Sequence, residues 1–207
     1  MKKALIVQGG WLGHQPAEVA EILAGVLREE SFEVEVSDTL DSFRDEEKLR
    51  SLNLIVPVWT MGKIEREQLE PLLNAVKSGV GIAGCHGGLA DSFREATEFQ
   101  YMVGGQWVAH PGNDGVTYTV HMKVKDDPIT QGVEDFEVCS EKYYMHVDPA
   151  IRVLAVTYFD EVEMPVVWTK TYGAGRVFYS SLGHQANIVA MPPALTLMRR
   201  GMLFAAK

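Results

Sequence analysis

The chain has 207 residues, of which 46% are hydrophobic and 23% charged, with a formal net charge of -9. That length and balance fit one domain with a sizeable core, and so acidic a surface speaks against nucleic acid or an anionic membrane as partner. The two cysteines, Cys85 and Cys139, form no disulfide or thiolate-zinc framework, and no apolar run approaches the ~20 residues of a membrane span.

In chain order, Met1-Lys2-Lys3 opens onto an apolar run at 4–7 that stops at Gln8-Gly9-Gly10. It is too short for a secretory signal, so a cytoplasmic location is expected. The run reads instead as a strand buried on both faces. A loop with Gly9, Gly10 and Gly13 follows. Pro16 then suits the first turn of a helix whose apolar face is Val19, Ile22, Leu23, Val26 and Leu27. Residues 33–36 and 54–58 read as the second and third strands. Leu69, Leu72, Leu73 and Val76 mark the next helix, with Gly79 as its stop, and 80–84 is a fourth strand. This β-α-β-α order implies an α/β fold with a mainly parallel central sheet covered by helices, in a single domain over 1–207. Further on, 116–124 alternates apolar and polar residues, and 153–158, 166–170 and 176–180 read as strands too. A turn at 172–175 precedes the last of these, and Leu195, Met198 and Met202 mark a closing helix.

Ligands of open parallel sheets bind beyond the carboxyl ends of the strands. Residues 9–14, Trp59-Thr60, Cys85-His86 and His184 all follow such ends. The first loop matches only the second and third glycines of G-x-G-x-x-G. Asp38 could stand for the ribose-binding acid, but Trp11 is bulky where a pyrophosphate needs the backbone close, which disfavours a dinucleotide site. Gly84-Cys85-His86-Gly87-Gly88 has the composition of a nucleophile elbow. Cys85 is there either a nucleophile activated by the following helix N-terminus or a small buried apolar residue.

Cys85-His86-Gly87 is similar to the elbow of the intracellular protease/deglycase group of amidotransferase-like proteins. The wider pattern resembles the ThuA-like (trehalose utilisation) family of the class I glutamine amidotransferase-like superfamily. It comprises the loop Gly9 to His14, the elbow ending in His86, the run Val103 to Gly112, Glu141 to His146, and Tyr172 to His184. The resemblance implies a flavodoxin-like three-layer sandwich and work on trehalose or a related, possibly keto, disaccharide. It departs from the superfamily in two places. Many ThuA-like chains have an aliphatic residue at the position of Cys85. In true amidotransferases a glutamate lies two residues past the last-strand histidine, whereas His184 is followed by Gln185 and Ala186. The Cys-His-Glu triad is incomplete, so glutamine hydrolysis is not expected.

His86 and His184 are the first choices for general acid and base, with Glu141 orienting or binding. The rival reading makes Cys85 the nucleophile of a hydrolase or lyase. A third class is a non-catalytic sugar-binding or regulatory protein. Trp11, Trp59, Gln106 and Trp107 suit a sugar, whose apolar face stacks on indoles, and His14, His110 and His146 join them as substrate-binding residues. No cofactor is expected. A zinc site is the alternative, using about three of the loop histidines and Glu141. His121, on an alternating strand, and Arg176 are read as structural. The partners expected are a small sugar and further copies of the chain in a homo-oligomer.

Overall fold

Alternation along β1 (Lys2–Gly10) decides the layering: Ala4 and Ile6 join one buried cluster, Leu5 and Val7 the other. A strand apolar on both faces must be covered on both, and helices supply the cover. The computed structural model describes residues 1–207. After β1 come α1 (Pro16–Glu29), β2 (Phe32–Ser37), α2 (Glu46–Ser51), β3 (Leu54–Thr60), α3 (Arg66–Lys77) and β4 (Gly81–Cys85). Then follow α4 (Gly87–Ala90), α5 (Thr97–Val103), β5 (Gly105–Ala109), β6 (Val116–Met122), β7 (Phe136–Ser140) and β8 (Tyr144–Val147). The chain ends with β9 (Arg152–Phe159), β10 (Val162–Tyr172), β11 (Gly175–Ser180), α6 (Ala186–Val189) and α7 (Pro192–Ala205).

A nine-stranded sheet has the order β2-β1-β3-β4-β11-β10-β9-β6-β7. The segment from β2 to β11 is parallel, and β10, β9, β6 and β7 extend it antiparallel. On one face α1 and α7 pack on Ile6, Val56, Ala83 and Phe178; on the other α3 and α5 pack on Leu5, Ile55, Ile82 and Tyr179. In α1 the expected apolar face is the buried one: Val19, Leu23, Val26 and Leu27. Leu23 and Leu27 are fully removed from water, which stabilises by roughly 1.5–3 kcal/mol each.

The fold is the expected three-layer α/β sandwich, with local differences. Strand four runs through Cys85 rather than stopping at Gly84, and the strand expected at 116–124 ends at Met122. The stretch around Trp107 is no simple loop. Its β5 pairs with β8 as a separate two-stranded ribbon, with a bulge between Trp107 and Ala109. Strands this short carry too few residues to show an alternation.

Candidate metal centre

Four buried side chains meet beyond the carboxyl ends of the parallel strands: His14, His86, Glu141 and His184, with their ligating atoms all within 4.8 Å of one another. Each arrives by its own local device. After β1 the backbone turns through Gly10 (φ 77°), where a Cβ would collide with Thr60 O, and a short 3-10 turn at Leu12–His14 folds His14 back over the sheet. Gln15 Oε1 accepts from Ala186 N, tying this loop to the start of α6. Gly87 leaves the room His14 needs, since a Cβ there would lie 2.8 Å from the His14 ring and from Thr60.

His86 follows β4 with φ 50° and ψ -140°, a conformation disfavoured for most side chains and the sharp strand-to-helix turn of an elbow. Its N–H donates to Ser180 O at 2.7 Å and its carbonyl accepts from Tyr179 Oη at 3.1 Å, which hold the turn. The elbow therefore presents His86. Cys85 points into the α1/α7 core at 5% exposure, and burial pushes its thiol up to about 12. Glu141 comes from the antiparallel extension, between β7 and β8, with its carbonyl accepting from Tyr118 Oη at 3.2 Å. His184 follows β11.

The outward nitrogens of the rings are directed at the protein. His86 Nδ1 donates to Ser181 O at 2.8 Å, and His14 Nδ1 shares a 2.8 Å hydrogen bond with Thr60 Oγ1. His184 Nε2 faces Asp114 Oδ2 at 3.8 Å. The inward nitrogens converge on Glu141 Oε2: His86 Nε2 at 3.1 Å, His184 Nδ1 at 3.2 Å and His14 Nε2 at 3.8 Å. The His184 approach is too bent for a hydrogen bond, which leaves that buried nitrogen unpartnered.

Protons do not reconcile this arrangement. Burial drives the His86 pKa down to about 4, against the pull of Glu141, so the ring is neutral near pH 7. Its single proton is committed to the Ser181 carbonyl, and a bare Nε2 lone pair then faces a carboxylate oxygen. Glu141 is driven upward by burial, yet contacts from His14, His184 and His86 outweigh this and hold it well below the usual carboxylate range. The His184 pKa is raised by Glu141 over the opposing effect of burial. A buried carboxylate on which three imidazole nitrogens converge, one of them unpartnered, has the donor set of a cation site. For donors at zinc bond lengths of about 2.0–2.1 Å, a tetrahedral shell has donor separations of about 3.4 Å; the contacts to Glu141 are 3.1, 3.2 and 3.8 Å, and the four atoms lie within 4.8 Å of one another, wider than a closed shell.

Around the four lie several other expected residues. Trp11 packs its ring edge-on against His14 at 4.6 Å. His110 places Nε2 3.7 Å from Glu141 Oε1, and Trp107 lies beside His110 with ring centroids 5.4 Å apart. Three residues stand elsewhere. Trp59 covers Gly9 and Gly62. Gln106 and His146 are cross-strand neighbours that line an open cavity on the ribbon. His121 pairs with Asp135 at 2.9 Å, and Arg176 donates to the Ala206 carbonyl, contacts that involve none of the four. Sequence reading missed Asp114, whose Pro-Gly-Asn-Asp-Gly context looks like plain turn composition. It also missed Tyr143, stacked on His86 at 3.9 Å, and the Ser181 carbonyl, which no side-chain motif reports.

The structure is similar to a ThuA-like protein from Parabacteroides merdae, with a TM-score of 0.81 and 20% identity over 100% of this chain and 90% of that one. It is similar to a cytoplasmic protein from Salmonella typhimurium LT2, at TM-score 0.73 and 13% identity over 99% of this chain and 100% of the other. A β-galactosidase from Bacillus circulans sp. alkalophilus matches 99% of this chain with 30% of its own length, at TM-score 0.65 and 12% identity. At such identities these likenesses speak for the fold. No curated protein gives a significant match, and no helix is long and apolar enough to cross a membrane. The family model described as trehalose utilisation matches residues 3–205, nearly the whole chain, so the protein belongs to the ThuA family.

Proposed function

We propose that the chain is a metal-dependent enzyme of carbohydrate breakdown, acting on trehalose or a related disaccharide, including a keto form. The observation that carries this reading is the convergence of three buried imidazoles and one buried carboxylate, with the inward nitrogen of His184 unpartnered. The sugar comes from the family's description. A divalent cation there, zinc first by its donor set, would supply Lewis-acid polarisation of a substrate oxygen if that oxygen joined the four side chains as a further ligand.

In this reading His14, His86, Glu141 and His184 hold the cation. Thr60 and Ser181 fix the far nitrogens of His14 and His86, and Asp114 faces that of His184 at 3.8 Å, the outer arrangement that orients ligating histidines. Proton transfer passes from His86 and His184 to His110, which faces Glu141 but stays partly open to solvent. The Cys85 alternative is disfavoured by a buried thiol with a raised pKa that lies outside the cluster. The proposed setting is cytoplasmic.

Metal analysis of the purified protein, chelation and re-addition, with turnover of trehalose and its keto derivatives followed throughout, tests the proposal. One cation per chain and activity that follows its removal and return are expected. A chain that binds no cation, or turns substrate over equally well when chelated, refutes it. Cation and sugar binding without turnover of any sugar makes the protein a binding module.

A further inference from the structure

His110 and Asp114 reach the four-residue cluster from one loop, and neither fully arrives. His110 Nε2 stands 3.7 Å from Glu141 Oε1, and Asp114 Oδ2 stands 3.8 Å from His184 Nε2. Each contact is about 0.5 Å longer than the longest ordinary N–H···O bond. The loop runs over residues 110–115, from the bulged end of β5 to the start of β6. Residues 111–115 are all exposed, and Gly112, Asn113 and Gly115 have φ of 92°, 54° and 93°. The hydrogen bonds of 111–115 are local: Asn113 N–H donates to His110 O, and Gly115 N–H to Asp114 Oδ1, both at 2.9 Å.

Other segments that carry the cluster are tied to the body of the fold. Trp11 N–H donates to Thr60 O at 3.1 Å and Gln15 Oε1 accepts from Ala186 N, which fix the loop of His14. Ser180, Tyr179 and Ser181 hold His86 on three sides. Donors about 3.4 Å apart, as in a closed zinc shell, are tighter than a cluster whose atoms spread over up to 4.8 Å, so a cation draws the cluster inward. A loop with only local hydrogen bonds can follow. An inward shift of about 0.5–1 Å turns both long contacts into hydrogen bonds at once. His184 Nε2–H then donates to Asp114, which leaves the lone pair of Nδ1 for the centre. His110 Nε2–H donates to Glu141 Oε1, which leaves Oε2 for the cation. His110 Nδ1, buried without a partner, keeps its own lone pair as the base.

We propose that residues 110–115 are a strap that closes on the metal centre when a cation binds, with His110 and Asp114 positioning Glu141 and His184 as one unit. The proposal rests on the cation reading above. It adds that the order of this loop and the affinity for the cation are linked, each raising the other.

The test is chelator competition with zinc on the full chain, for the wild type, His110→Ala, Asp114→Ala and the double variant. Each single variant is expected to bind zinc about 10-fold more weakly or worse. Losing either contact releases the strap from both ligands, so the double variant should fall within about 2-fold of the weaker single one, whereas independent partners would multiply their losses. Pro111→Gly touches no ligand, yet should weaken zinc about 2–5-fold, because closure must remove the freedom that glycine adds. Amide relaxation measured by NMR should show order parameters at Gly112 to Gly115 rising from below about 0.6 without zinc to about 0.85 with it. Thermal unfolding of the zinc-free variants verifies that each is folded. Losses that multiply in the double variant, single variants or Pro111→Gly with wild-type affinity, or strap amides that zinc leaves unchanged overturn the strap and spare the cation site. A wild-type chain that binds no zinc overturns both.

Discussion

Glu141→Gln is the sharpest perturbation of the metal centre, because it keeps shape and removes only the charge on which the three imidazoles converge. Its Oε2 lies 3.1 Å from His86, 3.2 Å from His184 and 3.8 Å from His14. If a cation occupies the space between them, the substitution removes its only anionic ligand and turns an amide N–H toward it in one rotamer. Loss of an outer-sphere partner costs 10–100-fold in metal affinity, so loss of the carboxylate itself should cost at least about 100-fold. At a free cation concentration of about 100 Kd, the wild type gains about 2.7 kcal/mol of stability, and a variant weakened 100-fold gains only about 0.4 kcal/mol. For a chain of this size, about 2–4 °C per kcal/mol makes that a rise in Tm of about 5–11 °C for the wild type against about 1–2 °C for the variant. Thermal unfolding with chelator, then with graded zinc, reads both numbers directly. A Glu141→Gln protein that keeps the wild-type zinc shift would refute the claim that these four residues form a cation site.

Other outcomes follow from the same geometry. Cys85→Ala should leave zinc binding and turnover in place and cost at most about 2 kcal/mol in denaturant unfolding, since a small buried group of the α1/α7 core is trimmed; loss of activity in a folded variant would restore the thiol mechanism. Asp114→Asn, altering the group that faces His184 Nε2, should weaken zinc 10–100-fold in a chelator competition with little change in the Tm of the chelated protein. Because the folded pKa of His86 is depressed to about 4, the unfolded chain takes up its proton first as pH falls. The chelated protein should therefore lose about 3 kcal/mol between pH 6.5 and 4 from this residue alone, and His86→Gln should flatten that limb of a pH series of unfolding curves.

The parallel half of the fold was legible because its strands are buried on both faces and its helices keep a 3.6-residue apolar period, as at Val19, Leu23, Val26 and Leu27. The ribbon of β5 and β8 was not, since five and four residues with a bulge show no period. For the site, glycine context pointed to His14, His86 and His184, and the family resemblance to Glu141. What sequence left undecided was how they relate. Imidazoles separated by 72 and 98 positions carry no ligand spacing, and their convergence exists only once β1, β4 and β11 are in one sheet. His146 shows the converse: it shares a motif with Glu141 yet sits in register with Gln106, on the ribbon.

Strand parity explains why a histidine rather than the cysteine came to occupy the elbow's apex. Along β4, Ala83 and Cys85 belong to the α1/α7 layer and Ile82 to the opposite one, so the period of two commits Cys85 to the core. The next residue leaves the sheet, and its positive φ turns its side chain up between the strand ends. Histidine is among the side chains that accept such a backbone more readily. Pairing of Cys85 with Ser180 then places the Ser181 carbonyl beside the ring. Once Nδ1 has donated there, the lone pair of Nε2 can point only inward, to where Glu141 already waits. A nucleophile at the apex would need a base and a free approach to substrate. An imidazole at the same apex, anchored from behind and buried to 1% exposure, is placed to hold the proposed cation rather than to attack a substrate.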